Sequence, residues 1–150
     1  MKIRDFLKIK NRPTITIRTD ETIYLALQKL AENDIGALPV CDEDGMLLGI
    51  ISERDLLKEC FKRNSSLHSV KVQDVMTKDV AVGYLEDDLD YAARVMKKKR
   101  IRHLPIVVGQ KLESIVSIRD IVDMQLGEAE AEIRYIGLIR KTHLKRPHLT

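Results

Sequence analysis

Cysteine is scarce in this chain. Its 150 residues hold two, Cys41 and Cys60, which do not form a CxxC pair, so a reduced setting is the simplest reading. Cys41 continues an apolar strand and is expected in the core. No apolar run approaches the roughly 20 residues that cross a bilayer, so no membrane partner is expected. The start, Met1-Lys2-Ile3-Arg4-Asp5, lacks the apolar stretch of a secretion signal, which gives a cytoplasmic expectation. There is no GxxxxGK[ST] loop, no GxGxxG turn and no HExxH helix, so the sequence offers no basis for the chemistries those motifs carry. Excess charge is also missing. A net charge of +3 and a pI near 8.8 are too mild to demand a nucleic-acid partner. With 44% hydrophobic and 33% charged residues, the composition is that of a soluble globular domain.

What the chain does have is a repeat of itself. Gly49-Ile50-Ile51-Ser52-Glu53-Arg54-Asp55-Leu56 returns about 65 positions later as Ser114-Ile115-Val116-Ser117-Ile118-Arg119-Asp120-Ile121. Upstream, Thr14-Ile15-Thr16-Ile17 matches Val80-Ala81-Val82-Gly83, and Pro39 aligns with Pro105. Ile23, Ala26, Leu27 and Leu30 follow the spacing of one buried helix face, as do Leu89, Ala92, Ala93 and Met96. Asp20 and Glu86-Asp87-Asp88 put acidic groups near the helix starts. Asp42-Glu43-Asp44-Gly45 predicts one hairpin turn, and Gly109-Gln110 a turn one residue shorter. Each unit reads β-α-β-β-α. Ile3-Arg4-Asp5-Phe6-Leu7 resembles Val72-Gln73-Asp74-Val75-Met76, and both predict short leading helices. A unit of roughly 60 residues buries too little apolar surface to stand alone, so the two are expected to share a core in one domain.

Ser52-Glu53-Arg54-Asp55 and Ser117-Ile118-Arg119-Asp120 have a plain explanation. Serine followed three places later by an acid, ahead of an apolar run, is a variant of the capping box. The same geometry also suits a ligand. A strand feeding directly into a helix leaves N–H groups and a hydroxyl as a phosphate seat. The carboxylate one turn later can accept from a ribose diol, and the arginine between can clamp phosphate. An acyl-transfer nucleophile is not indicated, because no base or orienting third group is placed by the sequence. The basic run Lys97-Lys98-Lys99-Arg100 reads as a solvated helix end. Arg102 and His103 lie beyond it, on the strand leading to Pro105, where they are expected to face a cleft.

These features resemble the cystathionine-beta-synthase (CBS) domain, and the tandem resembles a CBS pair, or Bateman module. The resemblance covers residues 3 to about 125. It rests on Leu38-Pro39-Val40 and Leu104-Pro105-Ile106, and on the Gly-x-x-Ser-x-x-Asp motif at Gly49, Ser52 and Asp55. The second motif departs at Ser114, in place of glycine. The resemblance implies an α/β (α+β) fold of two β-α-β-β-α repeats related by a pseudo-two-fold axis. The repeats are expected at 3–62 and 72–126, with a C-terminal helix and basic tail at 127–150. It also implies two clefts for adenosine-containing ligands: AMP first, with ADP, ATP, NAD or S-adenosylmethionine as alternatives. By that analogy Asp55 and Asp120 hold ribose hydroxyls. Ser52, Arg54, Ser117 and Arg119 approach phosphate. Thr16, Ile17 and Val80, with Ala37, Pro39, His103 and Pro105, wall the base. Arg102 and His103 stand where the first copy has Gly36 and Ala37, so one site is expected to be richer in positive charge and the affinities unequal.

Past the second copy, Ala129, Ile133 and Ile136, continuing to Ile139 or Arg140, approximate a helical stripe after Gly127. It fits either its own domain or a second subunit of a homodimer. His143 and His148 lack partners at metal-ligand spacing. The leading function is a regulatory sensor read by an unidentified protein, without catalysis. An enzyme is the reading against it, and it would have to use His103 with Ser117 or Asp120. A structural or nucleic-acid-binding protein with a vestigial cleft is the alternative, motivated by the Lys97 to Arg102 run and the basic tail.

Overall fold

The computed structural model describes residues 1–62 and 66–136, with side chains through residue 127. The first half runs α1 (Ile3–Lys10), α2 (Ile23–Asn33), β1 (Ala37–Cys41), β2 (Leu47–Ser52) and α3 (Glu53–Lys62). The second follows with a single 3-10 turn at Val72–Asp74, then β3 (Gly83–Tyr84), α4 (Leu89–Lys99), β4 (His103–Val108), β5 (Lys111–Ser117) and α5 (Ile118–Ile136).

Local chemistry explains the boundaries. Thr22 caps α2, its hydroxyl accepting from the Leu25 amide at 3.2 Å. The capping task thus falls to Thr22 and not to the acidic Asp20. In α4 the N-cap is Asp88, with no side-chain cap bond; it pairs instead with Lys2 at 3.1 Å. Helices α2 and α4 both stop on a left-handed residue, Asp34 (φ 51) and Arg100 (φ 55). In each, the next amide reaches back to the carbonyl five residues earlier, Ile35 to Leu30 and Ile101 to Met96, closing a Schellman motif. The expected helix faces are in the core: Ile23, Ala26 and Leu30 in one repeat, Leu89, Ala92 and Met96 in the other. Cys41 is buried in β1, and burial raises its thiol pKa.

Both hairpins are antiparallel and carry an irregularity at the same place, after Val40 in β1 and after Ile106 in β4. In the first turn Asp42 Oδ1 accepts from the amides of Asp44 and Met46, and Gly45 takes φ 80. The second turn is the two-residue Gly109-Gln110, with Gly109 at φ 63. The first strand of each unit is shorter than the pattern predicts. Thr14–Ile17 contributes one parallel bridge, Ile17 to Val40. Val80–Val82 is outside any strand, and β3 begins at Gly83, pairing with Ile106. In the first unit Pro13 precedes this segment, and Thr14, Thr16, Arg18, Thr19 and Asp20 alternate with only two apolar residues, Ile15 and Ile17. Beyond the second repeat, α5 continues unbroken through Gly127 to Ile136, so the expected closing helix and separate tail helix are one element. Residues 137–150, including His143 and His148, lie outside the described residues.

The units do not share one core: among the described residues there are two clusters, and each is completed by the other unit's leading segment. Ile3 and Phe6 pack with Leu89, Met96, Leu104, Ile106, Val116 and Ile121 of the second unit. Val70 and Val72 pack with Ile17, Ile23, Leu38, Val40, Ile51 and Leu56 of the first. Backbone bonds follow the same exchange. Ile3 N–H donates to Asp87 O and Arg4 N–H to Leu85 O, while Val72 N–H donates to Glu21 O and Gln73 N–H to Thr19 O. The hairpin tips also join: Leu47 N–H donates to Gln110 O and Leu112 N–H to Gly45 O, at 3.0 Å each. Reciprocal exchange of this kind relates the two repeats by a pseudo-two-fold axis.

Candidate functional site

The two Ser-x-x-Asp motifs sit where β2 enters α3 and where β5 enters α5. Both form the reciprocal cap that their spacing predicts. The Ser52 amide donates to Asp55 Oδ2 at 2.9 Å, and the Asp55 amide donates to Ser52 Oγ at 3.2 Å. Ser117 and Asp120 repeat this at 2.9 and 3.0 Å. The cap uses only Oδ2 of each carboxylate. It fixes the rotamer and leaves Oδ1 as an acceptor, which at Asp55 has no partner among the described residues.

Around these matched caps the two corners differ. The Ile50 carbonyl accepts from the Thr77 amide at 2.8 Å. Its counterpart, the Ile115 carbonyl, accepts from Lys10 Nζ at 2.6 Å. The same ammonium lies 3.0 Å from Asp120 Oδ2, and Arg12 Nη2 is 3.9 Å from Oδ1. The Lys10 and Asp120 side chains are 13% and 9% exposed, so this pair is largely withdrawn from water. Burial works to raise the Asp120 pKa, but the Ser117 amide and the Lys10 ammonium outweigh it and hold the carboxyl below its usual range. Asp55 carries no ion pair among the described residues.

The departure at Ser114 has a steric account in the same difference. A Cβ on Gly49 would stand 2.8 Å from the Thr77 carbonyl oxygen and 2.8 Å from Met76 Sδ. In the second repeat a long side chain, Lys10, reaches the sheet edge where Thr77 backbone lies in the first. Ser114 therefore fits, and its Oγ accepts from Thr14 Oγ1 at 3.3 Å.

The profile of the CBS domain matches residues 3–62 and 72–127. The chain belongs to the CBS domain family. Its tandem is a CBS pair, the Bateman module. A CBS-domain-containing protein of Agrobacterium tumefaciens superposes with a TM-score of 0.77 at 33% identity, covering 83% of this chain and 99% of that one. The CBS domain pair of protein MJ0100, solved in complex with 5'-methylthioadenosine and S-adenosyl-L-methionine, gives a TM-score of 0.75 at 27% identity, covering 85% and 98%. Among curated relatives, an uncharacterized 33.4 kDa protein in a ribosomal RNA operon of Thermofilum pendens is 38% identical over 118 residues. That match takes in 79% of this chain and only 37% of the relative's length.

Within the CBS pair the remaining candidate residues divide. His103 opens β4 opposite Ser117 and leans across to the first repeat. A Cβ on Gly36 would meet its Cε1 at 3.0 Å and its Nε2 at 3.2 Å. Burial lowers the His103 pKa, against the pull of Asp120 and Glu53 and with the help of Arg102 and Lys10. Ala37 opens β1 opposite Ser52, and Pro39 and Pro105 are buried beside them in their strands. Ile17 is buried, its amide donating to Pro39 O. Thr16 offers its carbonyl to Lys29 Nζ at 2.9 Å. Val80 is half-buried outside any strand.

The arginines stand apart from the aspartates. Arg54 is exposed. Arg119 is 3.9 Å from Asp34, in an exposed pair. Arg102 is joined to neither Asp55 nor Asp120 by a hydrogen bond or ion pair among the described residues. It lines an open cavity of about 510 Å³ with Ala93, Arg94, Met96, Lys97, Ile101 and Ile118, on the flank between α4 and the start of α5. The residues missed by the sequence reading are Lys10 and Arg12. No sequence signal marks them: the structure places Lys10 on the last turn of α1, where the second repeat has only a 3-10 turn.

Proposed function

We propose that this CBS pair is a regulatory sensor. It binds an adenine nucleotide between its repeats, AMP before ATP, NAD or S-adenosylmethionine, and signals by a change of conformation. The observation that carries the reading is the pair of pre-oriented carboxylates. Each is locked by its cap through Oδ2 and turns Oδ1 toward a ribose diol, an oxygen without a partner at Asp55 among the described residues and with Arg12 at 3.9 Å at Asp120. The complex of MJ0100 with two adenosine compounds supports the ligand class. Asp55 and Asp120 take the ribose, with Ser52, Arg54, Ser117 and Arg119 toward phosphate. Thr16, Ile17, Ala37, Pro39, Val80, Arg102, His103 and Pro105 surround the base. The working division is 3–62 and 72–126 for the repeats and 127–150 for the C-terminal segment.

Signalling requires that the ligand prefer one arrangement of the repeats over another. The exchanged leading segments give it a lever, because each site touches a segment rooted in the opposite unit. A cytoplasmic homodimer that acts on a separate protein completes the proposal. Leu57 and Phe61 on α3, and Val122 and Leu126 on α5, are exposed and offer an apolar surface to a second copy.

A thermal-shift screen of AMP, ADP, ATP, NAD and S-adenosylmethionine tests the ligand. A compound at 100 times its dissociation constant stabilises by about 2.7 kcal/mol. Asp55→Ala and Asp120→Ala then show which corner responds. No shift with any adenosine compound, alongside steeply salt-dependent binding to DNA or RNA, overturns the reading in favour of a nucleic-acid-binding module.

A further inference from the structure

Lys10 lies on one of the two carboxylates proposed to take the ribose, Asp120. It belongs to α1, the segment exchanged into the second repeat, and its ammonium spans Asp120 Oδ2 at 3.0 Å and the Ile115 carbonyl at 2.6 Å. Both side chains are withdrawn from solvent, and Lys10 has no other ion partner among the described residues. We infer that Lys10 is the resident counter-ion of the Asp120 site, and that it makes this site select phosphorylated adenosine compounds over neutral nucleosides and cationic sulfonium compounds. The inference rests on the adenosine reading above and adds the specificity residue for one of its two corners.

The argument is one of charge exchange. A ribose diol is neutral. Lys10 on Oδ2 and Arg12 near Oδ1 leave Asp120 no oxygen clear of a cation, so a diol that claims the carboxylate weakens its hold on both, and the buried ammonium keeps only the Ile115 carbonyl. Breaking a largely buried pair from one side leaves an uncompensated charge, which opposes binding. A nucleotide brings its own replacement: Asp120 passes to the diol while Lys10 and Arg12 pass to the phosphate. Each charge is paired before and after. A nucleoside completes only half of that exchange. A sulfonium adds a like charge beside Lys10 and Arg12. At the Asp55 corner no such exchange is needed, because a backbone amide, that of Thr77, meets the Ile50 carbonyl. The chain therefore carries its own control.

Isothermal titration of the full chain with AMP and with adenosine tests this. In an Asp55→Ala background, which leaves the Asp120 corner, AMP is expected to bind at least about tenfold more tightly than adenosine. In Asp120→Ala the ratio is expected to be clearly smaller. Adding Lys10→Gln to Asp55→Ala should bring the ratio toward one, mainly by tightening adenosine, because glutamine still donates to the Ile115 carbonyl without charge. Lys10→Arg should keep the ratio. Equal AMP-to-adenosine ratios at the two corners, or a ratio unmoved by Lys10→Gln, overturn the role of Lys10 and leave the adenosine site standing. If neither compound binds any variant, the adenosine reading falls and this one with it. The comparison of the two single-aspartate variants needs no change at Lys10, so a Lys10→Gln chain that fails to fold does not spare the inference.

Discussion

Ile50 and Ile115 hold equivalent places in the two repeats, yet one carbonyl meets an amide and the other an ammonium. Much of the frame around the motifs is matched: the amide caps, the hairpin irregularity and the left-handed helix ends. What differs is the segment that arrives from the other unit. Where that segment is one 3-10 turn, its backbone drops onto the sheet edge, admits only Gly49, and leaves Asp55 without a counter-charge. Where it is a two-turn helix, the backbone stays back, a lysine reaches in, and there is room for Ser114. Duplicated scaffolding thus keeps its frame while a change in an exchanged segment resets the electrostatics of one corner.

The largest effect expected from breaking this contrast is on stability. Asp120→Ala removes a cap and strands the Lys10 ammonium, and should cost about 3 kcal/mol. Asp55→Ala removes only a cap and should cost about 1 kcal/mol. Urea unfolding of the two variants side by side reads the difference, and equal costs would show that the Lys10 pair contributes nothing net.

Next comes the steric half of the contrast. Gly49→Ala pushes a methyl group into the Thr77 carbonyl and should destabilise by about 2 kcal/mol. Ser114→Ala, on the open side, should stay within about 1 kcal/mol. The sign of the asymmetry is the point: a cheap Gly49→Ala would mean that the sheet edge yields.

A smaller effect is in pH. The Asp120 carboxyl is held below its ordinary 3.8, so its contribution is present above that value and is lost as pH falls through the folded value. His103 is depressed from 6.5 by burial, so the unfolded chain takes up its proton first. Stability therefore declines as pH drops below about 6.5. Both contributions belong to the second repeat. Chemical denaturation at a series of pH values should show a shallower decline in His103→Gln just below 6.5, and in Asp120→Asn at the acid end. Ala37, which stands at the His103 position of the first repeat, cannot titrate.

The smallest expected change sharpens what the repeats share. Asp34→Gly and Arg100→Gly relieve a left-handed conformation at the same helix end, and each should stabilise by about 0.5–1 kcal/mol in thermal melts. Similar gains in both would confirm that the frame is common to the two halves. Asp34 also loses its weak contact with Arg119, so its gain is the one to fall short.

Much of this was legible in the sequence because it depends on near neighbours. The helix faces from Ile23 and Leu89, the two hairpin turns and the Ser-x-x-Asp caps are local patterns, and each appears where its spacing puts it. The strands before the helices are shorter than their pattern suggests. Apolar alternation at Thr14–Ile17 suggests pairing along its length, but only Ile17 has a partner strand within reach. The exchange of leading segments left no local trace, because Ile3 and Val72 are apolar in either arrangement. Lys10 was passed over for the same reason: its partner Asp120 is 110 residues away in sequence, and nothing near Lys10 marks it as more than a solvated helix end.

That exchange also sets an order on synthesis. The first unit cannot close its interior until Val70 and Val72 have left the ribosome, and Ile3 and Phe6 must wait for Ile121. The leading residues of the first unit are thus among its last to settle, and an unburied apolar stretch persists while both units are made, a condition in which chaperone contact or mispairing with another copy has its best opportunity.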